Sequence, residues 1–166
     1  MKKLFLLLSL VCLTQVVLAQ NPVIIGRSQF NAGLGMSSSG IPIYLGLDYG
    51  IYEDITLGGE FSYRSYRENW KQDYYNHSVI GLSGNGNYHF NRLLNIPANW
   101  DFYAGLNLGF SSWNSPNAYK GSHSSGLGLG MQVGGRYYFK DNMGINLELG
   151  GGNVFSGGKI GISIKL

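Results

Sequence analysis

The sequence predicts an all-β protein, an eight-stranded antiparallel barrel in up-and-down meander order that crosses a membrane with its strands. Three observations carry this. Past Gln20, apolar residues recur with a period of two, and no stretch of ten or more residues keeps the 3.6-residue spacing of an amphipathic helix. The alternating runs number eight, and an even count suits a closed bacterial barrel. Asp, Glu, Lys and Arg supply 13% of the chain, about half the ~25% of soluble domains, beside 14% aromatic residues and 26 glycines.

The first residues read as an export signal. Lys2 and Lys3 precede an apolar run from Leu4 to about Val17, and Val17-Leu18-Ala19 supplies a small-residue cleavage site before Gln20. The run is shorter than the ~20 apolar residues of a helical span and has no basic flank behind it. The expected organisation is therefore a signal peptide over 1–19 and a barrel domain over 20–166. The single cysteine, Cys12, falls within the signal, and Val11 stands where a lipoprotein signal needs a small residue. The exported part then has no thiol for a disulfide, a metal site or nucleophilic catalysis. Without Lys2 and Lys3, ten basic residues face nine acidic ones, a balance that gives no footprint for nucleic acid.

The expected strands are 27–36, 41–50, 55–66, 76–90, 100–112, 124–139, 143–155 and 159–166. The last is the plainest, with Ile160, Ile162, Ile164 and Leu166 interleaved with Gly161, Ser163 and Lys165. Leu127, Leu129, Met131 and Val133 alternate with Gly128, Gly130 and Gln132, and the pattern continues to Phe139. Trp100, Phe102, Ala104, Leu106, Leu108 and Phe110 do the same against Tyr103, Gly105, Asn107 and Gly109. Turn residues separate the runs at 37–40, 52–54, 140–142 and 156–158. Longer connections are expected at 67–75, 91–99 and 113–123. With both termini in the periplasm, 67–75 and 113–123 face outward, as longer external loops require, and 91–99 is the misfit.

Alternation alone does not say which face is inside, because a soluble lipocalin-like barrel also alternates. The contents of the faces separate the two. The apolar face of all eight runs carries no charged residue, whereas a wall in contact with water is rich in Lys and Glu. Aromatics gather near strand ends as interfacial girdles. Tyr49, Tyr88, Phe90, Trp100, Phe102, Tyr137 and Phe139 mark the periplasmic rim, and Tyr63, Tyr66, Tyr74, Phe110, Trp113 and Phe155 the outer one. An eight-stranded lumen is just wide enough for side chains to fill it. Asp48, Glu60, Arg64, Arg136 and Glu148 fall on the inward face, two bases and three acids suited to an ion-pair network that acts either as a structural plug or as a proton or ion path.

On these residues the chain resembles a known family. Its signal, its Gly-rich alternating strands, the segment Tyr88-His89-Phe90-Asn91-Arg92-Leu93-Leu94 and the segment Gly135-Arg136-Tyr137-Tyr138-Phe139-Lys140-Asp141-Asn142 are similar to the small outer-membrane β-barrel proteins of OmpA/OmpX type. The resemblance spans the barrel part of the chain and implies a fold and a compartment, not an activity. It implies as partners the outer-membrane lipid and lipopolysaccharide and, during biogenesis, the barrel-assembly machinery. The chain departs from the family at Leu166, where many members end in an aromatic residue.

No catalytic, metal or cofactor constellation stands out, and no cofactor is expected. Gly84-Asn85-Gly86 and the glycines of 126–130 precede no helix, so they lack the context of a nucleotide loop. His77, His89 and His123 lie on three segments with no second ligand at metal spacing. The function expected first is an outer-membrane barrel without an open channel, structural, adhesive or binding an extracellular ligand through loops such as the mixed-charge, aromatic segment 67–75. Alternatives are a narrow pore, a soluble ligand-binding barrel, and a lipid A deacylase-like hydrolase using His123 and Ser125, for which the one carboxylate on the next strand, Glu148, falls on the opposite side of the wall.

Overall fold

A computed structural model describes residues 25–37, 40–70, 73–116, 121, 125–152 and 156–166. Eight strands follow one another: β1 (Ser28–Met36), β2 (Ile43–Tyr52), β3 (Ile55–Trp70), β4 (Asp73–His89), β5 (Trp100–Asn114), β6 (Gly126–Lys140), β7 (Met143–Gly152) and β8 (Gly157–Lys165). Each pairs antiparallel with the next, and β1 pairs with β8 from Gln29↔Lys165 to Met36↔Gly158, closing the barrel. Closure removes the free sheet edge, so the paired backbone groups need no solvent.

The barrel is apolar outside and polar inside. Leu34, Leu45, Leu57, Leu82, Leu106, Leu127, Met131, Leu147 and Ile160 are all at least half exposed. Among the described residues the buried hydrophobic side chains are Tyr44, Val79, Tyr103 and Tyr138, outnumbered by buried polar ones. A soluble barrel around an apolar ligand needs the opposite arrangement. Outward residues of β3 stay apolar or small from Ile55 to Tyr63, then turn to Ser65, Arg67 and Asn69. At ~3.3 Å per residue and ~40° of tilt, that apolar stretch rises roughly 20 Å, close to the ~25 Å band of outer-membrane barrels.

Two expected connections are corrected. Within segment 67–75 the described residues continue the sheet: β3 and β4 stay in register through Arg67↔Asn76, Glu68↔Tyr75, Asn69↔Tyr74 and Trp70↔Asp73. Both faces of this hairpin lie beyond the apolar band, so polarity stops alternating while the backbone ladder continues. Segment 91–99 opens with a helical turn, α1 (Asn91–Leu94), and Asn95 takes a left-handed conformation at its end. Arg92 pins it to the β2–β3 turn through Asp54 at 2.6 Å and through Glu53. The buried Asn91 accepts the Phe102 N–H at 3.3 Å and donates to the Trp100 carbonyl. The misfit segment is thus a structured closure of that end.

The girdles are partly corrected as well. Tyr49, Tyr88, Trp100, Phe102, Tyr137 and Phe139 face outward at one end, and Tyr63, Tyr74 and Phe110 do so toward the other. Tyr66 and Trp113 instead turn inward, Tyr66 stacking on His77 at 5.3 Å and meeting Trp113 edge-on at 6.1 Å. The expected signal over 1–19 and girdle residue Phe155 lie outside the described residues.

Inward glycines make room for large neighbours. Tyr103 faces Gly134 across the β5–β6 ladder, and a Cβ at Gly134 would collide with its ring. A Cβ at Gly161 would meet Tyr44 Oη and Asn146. Gly134→Ala is expected to cost about 1–3 kcal/mol through overpacking, read as a lower urea midpoint in detergent, and Tyr103→Ala in the same chain is expected to recover part of that loss.

Candidate functional site: the charged lumen

Period-two alternation aims polar side chains of all eight strands at the axis, where they form two linked clusters. In the first, the Arg136 guanidinium, 2% exposed, donates to Asp48 at 2.7 Å and to Asp101 at 2.9 Å. Asp101 also meets His89 Nδ1 at 2.7 Å, and His89 Nε2 lies 3.0 Å from Thr56 Oγ1. Asn31 donates to Asp48 at 2.9 Å and accepts from Ser163 at 2.7 Å. Gln29 accepts from the Tyr138 hydroxyl and donates to Asn31 at 3.1 Å, linking Tyr138 to the cluster. The guanidinium also sits over the Tyr103 ring, 4.2 Å from its centroid.

In the second cluster Lys159 bridges Glu60 at 2.7 Å and Glu148 at 3.0 Å. Tyr103 joins the clusters by donating its hydroxyl hydrogen to Glu148 at 2.8 Å. Every strand supplies a charged group or a direct hydrogen-bond partner to this chain of contacts, β4 through His89. Buried charges without partners cost several kcal/mol each, so pairing is what lets this interior be polar.

Of the five residues expected from sequence, Asp48 and Arg136 meet directly, and Glu60 and Glu148 meet through Lys159. Arg64 stands apart, donating to Ser37 at 3.3 Å with its guanidinium 5.3 Å from the Trp113 ring. Asp101, Lys159 and His89 were missed, although alternation places Asp101 on the face of Tyr103 and Lys159 on that of Gly161 and Ser163. His89 is fully buried within the first cluster. The hydrolase set expected from sequence is not assembled among the described residues. Glu148 is committed to Tyr103 and Lys159, Ser125 Oγ accepts the Trp113 N–H at 2.9 Å, and His123 lies outside the described residues.

Little space is left in the lumen. Two internal voids, one between the clusters and one beside Lys159, measure about 10 Å³ each, room for about one water molecule apiece.

A closed eight-stranded meander with a polar, charge-paired interior and an apolar belt is the architecture of the small outer-membrane barrels. The chain is similar to the N-terminal β-barrel domain of Pseudomonas aeruginosa OprF, with a TM-score of 0.60 at 15% identity over 86% of this chain and 98% of that one. It is similar to the outer-membrane protein OprG of Pseudomonas aeruginosa at a TM-score of 0.66, with 9% identity over 90% and 99% of the two chains. Neisserial surface protein A gives 0.57 at 13% identity over 84% and 94%. No protein-family model and no curated protein sequence matches the chain. At these identities the likeness is one of fold.

Arg136→Ala is expected to leave Asp48 and Asp101 buried without their cation and to cost about 3–5 kcal/mol. A drop in the urea unfolding midpoint in detergent or vesicles checks this. Arg64→Ala, at the margin of the lumen, is expected to cost far less in the same measurement.

Proposed function

We propose that this chain is an integral outer-membrane protein, exported through the signal over 1–19, whose barrel is a closed anchor and whose external end makes surface contacts. The single observation that carries this reading is the inversion of polarity, an uncharged apolar belt around a lumen filled with paired charges. The filled lumen favours a plug over a conduit, since water-filled channels belong to barrels of about sixteen strands.

The adhesive or ligand-binding part of the reading rests on the β3–β4 hairpin. Pairing of β3 with β2 ends at Tyr63↔Ile43, and pairing of β4 with β5 ends at Ser78↔Asn114. Beyond those points, among the described residues, the hairpin has no further ladder partner on either side, a form that suits strand addition by an extended partner. Arg67 lies over the Tyr74 ring at 5.0 Å, adding charge and an aromatic surface. Outer-leaflet lipopolysaccharide is the expected neighbour of the belt, and the barrel-assembly machinery its partner during insertion.

In membrane fractions the unboiled protein is expected to migrate differently from the boiled protein and to need detergent for extraction; a soluble, heat-indifferent species rejects the membrane reading. In planar bilayers the folded protein is expected to give no discrete conductance steps, and steps that disappear when lumen residues are enlarged would restore the pore.

A further inference from the structure

A hollow of about 800 Å³ opens on the outer face of the wall across β5, β6, β7 and β8, toward the end that carries α1. Its size falls in the ~300–1,000 Å³ range of sites that hold one ligand. The ladder pairings explain it. Phe102, Gly135, Leu147 and Ile160 are successive cross-strand partners, a single outward row over four strands. Gly135 leaves a gap in that row, and Ala104, the next outward position along β5, adds only a methyl group. The Phe102 ring lies down across the gap, because a Cβ at Gly135 would stand 3.0 Å from its Cε1. Trp100 stacks on Phe102 at 5.7 Å with 9° between the rings and meets Tyr137 at 4.7 Å, closing the hollow toward the barrel end. Leu147, Leu149 and Ile160 border its other side.

Polar groups stand at the closed end. Trp100 is 41% exposed, and no hydrogen bond among the described residues engages its indole N–H. Lys140 is exposed at the end of β6, just past the outward Phe139, and makes no ion pair among the described residues.

We propose that this hollow is a binding site for one glycerophospholipid of the leaflet at the α1 end, an inference that rests on the membrane-barrel reading above. The order of chemistry along the barrel is the order along such a lipid. The Lys140 ammonium meets the phosphate, the Trp100 N–H donates to an ester carbonyl below it, and an acyl chain lies in the apolar hollow. Lys and Trp both suit that height, since each joins an apolar body to a polar tip. The occupant is a lipid because the hollow is continuous with the uncharged belt, whose surroundings are hydrocarbon. A tail gains no hydrophobic free energy by moving there from bulk lipid, which is equally apolar. What holds it is dispersion contact with a fixed aromatic floor, together with the two polar contacts at the border. The smallness of Ala104 and Gly135 is thus what makes the site.

The test uses the full chain folded in mild detergent, with the fold of every variant checked by the heat-dependent gel shift. Palmitoyl-oleoyl phosphatidylglycerol is titrated in and read by native mass spectrometry, and saturable binding of one lipid per barrel is expected. Ala104→Phe and Gly135→Val raise the floor and are expected to weaken binding about tenfold or more. Leu45→Phe, on the outer face of β2, is expected to leave it unchanged. Lys140→Gln is expected to weaken phosphatidylglycerol roughly fivefold while leaving a diacylglycerol of the same chains unaffected. A folded barrel that takes up lipid without saturation, or equally in the filled variants, overturns the proposal. So does a dimer that Gly135→Val dissociates, which would assign the hollow to a second copy of this chain. Because the gel shift is read separately, loss of the membrane-barrel reading is distinguishable from loss of the lipid site.

Discussion

The rest of the structure depends on the pairing of β1 with β8. In a hydrocarbon medium an unpaired N–H or C=O costs several kcal/mol, so a sheet is tolerable there only when its first and last strands meet. Once the ring closes at eight strands, the wall has two faces with opposite surroundings, and each side chain is sorted by position parity alone. Outward positions take Leu, Ile, Met and aromatics. Inward positions share a space so narrow that large and small residues must alternate around it.

That narrowness links packing to electrostatics. Tyr103 fits because Gly134 faces it, and only from there does its hydroxyl reach Glu148 while its ring lies under Arg136. Arg136 in turn holds Asp48 and Asp101, from strands far apart in sequence. The interior is therefore a single polar network that crosses the barrel and ties strands together where a soluble domain would use an apolar core. Such a network gives specificity of register, because a slip of one residue would turn its charges out to lipid. The end that carries the β3–β4 hairpin is freer, for there the ladder runs on past the belt and polar groups such as His77, Glu68 and Ser115 gather on its inward side.

How much of this is legible from sequence follows from the same physics. Alternation is strong where one face meets lipid, so all eight strands can be read, as can the inward placement of Asp48, Glu60, Arg136 and Glu148. Beyond the belt neither face is apolar and the signal vanishes, which is why 67–75 reads as a loop although its backbone stays paired. Tyr66 and Trp113 read as girdle residues because aromatic character near a strand end suits the lipid interface and the barrel mouth equally. Alternation also puts Asp101 and Lys159 on the inward face, but which acids and bases they meet depends on the register of strands distant in sequence.

By itself the sequence determined the period, the number of strands and which face carries no charge, because these are local properties of residue order under a two-sided environment. Only the tertiary structure decided which charges meet. Lys159 between Glu60 and Glu148, Arg136 between Asp48 and Asp101, and His77 between Ser115 and Glu68 are contacts across strands whose relative height is set by the register of the closed ring. Composition and periodicity do not encode that stagger, since it emerges from the whole set of ladder pairings at once.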